Sequence, residues 1–146
     1  MERETDPTKP GVGKTVMVVD DSAPIRKMLA CAFLSDGFKT CIEAQNGKEA
    51  IEAATREKPD LIILDLSMPV MNGLQCAQQL RKIPPPETPI ILFTLYAGSL
   101  SRAQASDAGI NLILDKTTPL SELVETAHQL LAKPKRKSKN KMQVRK

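Results

Sequence analysis

At 146 residues the chain has room for one domain of ordinary size and not for two cores. With 41% hydrophobic and 26% charged residues, and no apolar run near the roughly 20 residues that span a bilayer, the composition excludes wholly disordered, fibrous and membrane-spanning chains. The net charge of +4 is uneven: residues 1–132 hold 13 Lys and Arg against 17 Asp and Glu, whereas residues 133–146 hold eight cations and no acid, so a pI near 9.0 is no sign that the body binds nucleic acid. The first 15 residues are polar and lack an apolar h-region, which predicts neither export nor membrane insertion but a cytoplasmic protein. Cys31, Cys41 and Cys76 form no CxxC and His128 is the single histidine, so no zinc ligand set exists and reduced thiols are expected.

Residues 1–13 read as a flexible leader. Val16–Val19 is a short apolar run, and Ile25, Met28, Leu29, Ala32 and Phe33 follow at helical spacing, with Ser22 as N-cap, Pro24 in the first turn and Gly37 as the stop. A second strand is predicted at Phe38–Glu43, then a helix over 48–58 with Ala50, Ile51 and Ala54 buried, stopped by Pro59. Leu61–Leu64 is a third strand, 74–82 a helix, and Pro84, Pro85 and Pro86 a break before a fourth strand at Ile90–Phe93. A weaker helix over 98–108 and a fifth strand at Leu112–Leu114 precede the clearest stripe, Leu120, Leu123, Val124, Ala127, Leu130 and Leu131. Residues 133–146, without aromatic residues or apolar periodicity, read as a disordered basic tail. Strict alternation with unbroken apolar strands calls for an α/β fold, a five-stranded parallel sheet, doubly wound, with helices on both faces.

In such a sheet every strand ends at one edge, where ligands bind, so the informative residues are those that end strands. They are Asp20 and Asp21, Asp65, Thr94, and Asp115 with Lys116. Three clustered carboxylates, Asp20, Asp21 and Asp65, repel unless a hard divalent cation neutralises them, and Mg²⁺ is held in this way, by one or two carboxylates with phosphate oxygens. Lys116 and Thr94 suit phosphoryl oxygens as point charge and hydrogen-bond donor. The set reads as a magnesium-assisted phosphoryl site with a carboxylate nucleophile.

The segments VMVVDDS (16–22), LIILDLSMPVMNG (61–73) and PIILFT (89–94), with Lys116 after the fifth strand, resemble the receiver domain of two-component response regulators over residues 14–132. The resemblance implies a flavodoxin-like strand order 2-1-3-4-5, Asp65 as phosphoacceptor, Asp20 and Asp21 as the acidic pair for Mg²⁺, and the Ser67 carbonyl as a further ligand. It implies Thr94 as the hydroxyl that turns to the phosphoryl group and Lys116 as its ion-pair partner. Asp115 is left as solvated, Tyr96 at the site mouth or an interaction face, and His128 as a surface residue. Three positions depart from the family pattern: Leu95 where a small residue is usual, expected to crowd the path to Asp65; Ile113 where many receivers carry a switching aromatic; and Thr117 where proline follows the lysine.

Two other motifs are set aside. GVGKT (11–15) lacks the first P-loop glycine, that position being Thr8, and precedes a strand instead of following one. The DDS after the first strand is not the DxD of aspartyl-phosphate hydrolases. The expected function is thus a single-domain response regulator, a phosphoacceptor switch and not an enzyme. Its partners would be a sensor histidine kinase or histidine phosphotransfer protein and a downstream protein target, since 14 residues after 132 cannot form a helix-turn-helix domain. Two alternatives stay open: a degenerate pseudo-receiver that serves as an interaction module, and a regulator whose tail contacts nucleic acid.

Overall fold

The computed structural model describes residues 5–132 and 143–145. Its elements are β1 (Thr15–Val19), α1 (Ala23–Ser35), β2 (Thr40–Ala44), α2 (Gly47–Glu57), β3 (Leu61–Leu64), α3 (Gly73–Leu80), β4 (Ile90–Thr94), α4 (Arg102–Asp107), β5 (Leu112–Asp115), α5 (Leu120–Ala132) and β6 (Gln143–Arg145). All pairings are parallel and the first five strands lie in the order β2-β1-β3-β4-β5, as expected.

The strands are buried on both faces, which is why their sequences show no polar alternation. Side chains of period two divide between two cores. Met17, Val19, Ile62, Leu64, Ile90, Leu92 and Ile113 pack with Ala50, Ala53 and Ala54 of α2, Cys76, Ala77 and Leu80 of α3 and Ala105 of α4. Val16, Val18, Leu61, Ile63, Ile91, Phe93, Leu112 and Leu114 pack with Leu29 and Phe33 of α1 and Leu123, Val124 and Ala127 of α5. Helix starts follow the capping rules: Ser22 accepts from the Ile25 N–H and Asn46 from the Glu49 N–H, while Asn72 with Gln75 and Ser101 with Gln104 form capping boxes. The predicted 98–108 helix is shorter than expected, a 3₁₀ turn at Ala97–Ser99 followed by α4 alone.

Three expectations need correction. The leader, expected to be loose, is folded back from residue 5 onward: Gly13 donates to the Gly37 carbonyl (2.9 Å), and Lys9 Nζ reaches Asp36 (3.3 Å) and Glu125 (3.2 Å). His128, expected at the surface, is 1% exposed, because the Gly11 N–H donates to its Nδ1 (2.9 Å) and its Nε2 meets Asp36 Oδ2 (2.9 Å). The tail, expected to be without order, contributes β6, paired with the free edge of β5 as Leu112↔Gln143, Ile113↔Val144 and Leu114↔Arg145. Among the described residues the sheet therefore carries a sixth strand beside the five predicted. Residues 133–142 and 146 of the predicted tail and residues 1–4 of the predicted leader lie outside the described residues.

Candidate functional site

The parallel sheet delivers the strand-end residues to one edge, and main-chain bonds fix them there. The Asp20 N–H donates to the Ala44 carbonyl (3.1 Å), the Asp65 N–H to Val19 (3.0 Å) and the Lys116 N–H to Thr94 (3.0 Å). One oxygen from each of Asp20, Asp21 and Asp65 lies within 4.8 Å of the others, with Asp20 and Asp65 buried and Asp21 exposed. Lys116 enters the cluster from the end of β5, its Nζ 2.7 Å from Asp20 Oδ2 and 3.4 Å from Asp65 Oδ2. The other Asp20 oxygen accepts from the Ser22 N–H (2.9 Å).

Charge governs this edge. Burial is the main cause holding the Asp65 carboxyl above its ordinary value; Lys116 opposes it and the Asp20 charge adds to it. Burial alone would depress the Lys116 ammonium, but the hydrogen bond and charge of Asp20, joined by Asp65, hold it above its ordinary value. The two shifts agree on one picture: Lys116 is closely engaged with Asp20, and Asp65 is left under-compensated. Among the described residues three carboxylates face one ammonium, an excess of two negative charges in the cluster. Every donor in it is a hard oxygen, the chemistry that suits Mg²⁺ and not a thiolate- or imidazole-seeking metal.

Thr94 is fully buried and its Oγ1 accepts from the Tyr96 N–H (3.1 Å), so its own O–H is available as a donor. Ser67 is exposed in the loop after β3. Asp115 stands apart, its Oδ1 accepting from the N–H (2.9 Å) and hydroxyl (2.8 Å) of Thr117, which hold its carboxyl below the ordinary range. Leu95, expected to crowd Asp65, is 62% exposed; Ile113 is a buried core residue; and the Lys116–Thr117 peptide is trans. The glycines of GVGKT lie ahead of β1, at the sheet edge opposite the acids.

Two contributors went unrecognised in the sequence. Gly73 opens α3, and its N–H donates to the Leu66 carbonyl (2.8 Å); a Cβ there would collide with the Asp65 carbonyl oxygen and Leu66 Cα, so only glycine lets the loop close beneath Asp65. The Asn-Gly pair before that helix was a usable signal. Val70 in the same loop is 97% exposed with φ 72°, a left-handed backbone that β-branched residues rarely adopt. The second is Arg26, whose Nη1 donates to the Asp20 carbonyl (2.6 Å) and Nε to Glu43 Oε1 (3.1 Å). A basic residue in a first helical turn gives no sequence cue to such a bond.

Fold and edge together define a doubly wound α/β protein with an acid-and-lysine site at the carboxyl ends of its strands. The sequence model described as "Response regulator receiver domain" matches residues 16–128, and the chain belongs to that family, the receivers of two-component signalling. It is 36% identical over 114 residues to the phosphate regulon transcriptional regulatory protein PhoB of Pseudomonas aeruginosa, matching 77% of this chain and 49% of the relative, so it spans about half of that protein. It is 33% identical over 119 residues to the chemotaxis protein CheY of Thermotoga maritima, matching 82% of this chain and 98% of that one. The receiver domain of the histidine kinase CKI1 from Arabidopsis thaliana, solved complexed with Mg²⁺, superposes with a TM-score of 0.70 at 26% identity, over 85% of this chain and 97% of that one.

Proposed function

We infer that the chain is a cytoplasmic phosphorylation switch that accepts a phosphoryl group on Asp65 and signals through protein contacts. The supporting observation is the charge imbalance at the strand ends: among the described residues, Asp20, Asp21 and Asp65 stand against Lys116. One divalent cation cancels that excess, and Asp20, Asp21, Asp65 and the Ser67 carbonyl would hold Mg²⁺. When bound, that ion supplies neutralisation and a template for phosphoryl oxygens.

The chain's own groups then have separate tasks. The phosphorus bond to a donor nitrogen, in a sensor histidine kinase or a histidine phosphotransfer protein, breaks as a bond to an Asp65 carboxylate oxygen forms. Lys116, engaged with Asp20 and 3.4 Å from Asp65, is placed to follow the charge that phosphorylation adds, about −1.5 to −2. Thr94, with its O–H free to donate, turns toward a phosphoryl oxygen and in doing so releases or reorients the Tyr96 N–H it now accepts. Leu95 and Tyr96 are both more than half exposed, so a move of this loop changes an apolar rim open to a downstream protein. The protein then works as a two-state switch and not as a turnover enzyme. Free Cys31, Cys41 and Cys76 fit a reducing compartment; burial pushes the Cys41 and Cys76 thiols up to about 12, so neither is a reactive thiolate.

The test is labelling by acetyl phosphate in the presence of Mg²⁺, read by mass spectrometry. Asp65→Asn is expected to abolish the label, and equal labelling of variant and parent refutes the assignment. Failure of the parent to label while still folded would favour a degenerate interaction module.

A further inference from the structure

The acids of the site are not equally secured. Asp20 is held at four atoms: its N–H by Ala44, its carboxylate by Ser22 and Lys116, and its main-chain carbonyl by Arg26. The Asp21 carboxylate takes no hydrogen bond among the described residues and is exposed. Its position depends on the backbone that presents it, and that backbone begins at the Asp20–Asp21 peptide. The carbonyl of this peptide is the group that Arg26 grips at 2.6 Å.

We propose that Arg26 is a positioning residue for the acidic pair, acting as a strut between the Asp20–Asp21 peptide and Glu43 of β2. The inference rests on the reading of that pair as a Mg²⁺ site. Arg26 lies in the first turn of α1, and its guanidinium spans two acceptors, the Asp20 carbonyl and Glu43 Oε1 at 3.1 Å. Glu43 is in turn held on its other oxygen by Lys27 (3.0 Å). The Arg26 and Glu43 side chains are only 14% and 25% exposed, so solvent does not compete freely for the contacts. Register adds to the rigidity, since Val18 pairs with Glu43 and Val19 with Ala44, bringing the base of the strut within one strand spacing of the acids. A fork of fixed N–H donors can hold both groups at once, whereas an ammonium is a point charge on a flexible stem.

Sign separates positioning from mere electrostatics. Deleting a cation near an acidic metal site strengthens Mg²⁺ binding if charge is all that matters. Deleting the strut weakens binding if the peptide must be held. The experiment is a Mg²⁺ titration of the full chain without phosphodonor, followed by backbone amide shifts of residues 20–22 and 65–67 and by calorimetry, with thermal unfolding as a control. Arg26→Gln is expected to weaken Mg²⁺ binding about tenfold, the lower end for loss of an outer-sphere support, and Arg26→Lys to recover part of it. Equal or tighter binding by Arg26→Gln, in a parent that binds, overturns the proposal and leaves the metal site standing. Absence of binding by the parent instead removes the metal reading on which the proposal depends. If Arg26→Gln does not fold, Arg26→Lys carries the test at constant charge, with weaker binding than the parent expected and unchanged binding overturning the proposal.

Discussion

At the scale of single residues, the site is built against its own stability. Asp65 is buried beside another carboxylate, and its carboxyl sits above the ordinary value chiefly because of that burial. A folded-state value above the unfolded one means that stability falls as pH rises through the carboxylate range, because ionised Asp65 costs more in the fold than in the open chain. Near neutral pH Asp65→Asn is therefore expected to stabilise the metal-free protein, by about 0.5–2 kcal/mol, the range of other gains made by removing functional strain. Urea unfolding in chelator measures it. A variant less stable than the parent would mean that the Lys116 contact outweighs burial. Most of this site was legible because strand ends in a parallel sheet converge whatever the loops do. Arg26 was not, because its contact with the acidic pair is to the main-chain carbonyl of Asp20, which no side-chain pattern encodes; Gly73, whose close neighbours are main-chain atoms of Asp65 and Leu66, left only the Asn-Gly pair as a sign.

Among the elements, strands were read readily and attachments were not. Leu61–Leu64 and residues 90–93 are apolar throughout because both faces are covered, so their identity is written in composition. The leader has no such pattern, yet residues 5–14 are bound by Thr5 to the Ser35 carbonyl, Gly11 to His128, Gly13 to Gly37 and Lys39 to Lys14. Arg81 is a parallel case: its guanidinium joins the end of α3 to the carbonyls of Gly109 (2.9 Å) and Pro86 (2.7 Å) and to Asn111 Oδ1 (2.8 Å), none of which a periodicity reveals. The leader contact is testable at Gly11, where a Cβ would strike Phe38 and His128 Nδ1. Gly11→Ala is expected to lower stability by about 1–3 kcal/mol, as overpacking does, while leaving Asp65 labelling intact at the far edge. Unchanged stability would show that the strap adds nothing. The same contact has a pH signature at Asp36. Burial raises its carboxyl, but the His128 hydrogen bond and Lys9 outweigh this and bring it below the ordinary value. Its contribution is thus present above about pH 3.9 and lost as pH falls through the lower folded value, so Asp36→Asn should flatten the acid limb of the stability curve.

On the scale of the whole molecule, charge and topology meet at the C-terminal segment. The body is acidic and its active edge is more so, while six cations lie between the end of α5 at Ala132 and the start of β6 at Gln143, with no acid among them. Strand β6 ties the far end of that run to β5, whose pairing with β4 ends at Thr94↔Asp115, directly before Lys116. The segment therefore covers an edge that would otherwise expose unpaired main-chain groups beside a functional strand. Its energetic share is small, since three residues of parallel pairing add little to a sheet already held by four other parallel pairings and two apolar cores. Removal of residues 133–146 is accordingly expected to leave a folded protein that labels at Asp65. The β5 amides facing the lost strand should exchange faster, by hydrogen-exchange mass spectrometry or NMR, while those of β3 remain protected. Loss of folding or of labelling would show that the segment is part of the domain; unchanged β5 exchange would show that the edge is not covered in solution. If the cations bind a polyanion, the intact chain should show an affinity that falls steeply with salt and disappears on truncation, because such binding comes from released counterions and not from base contacts.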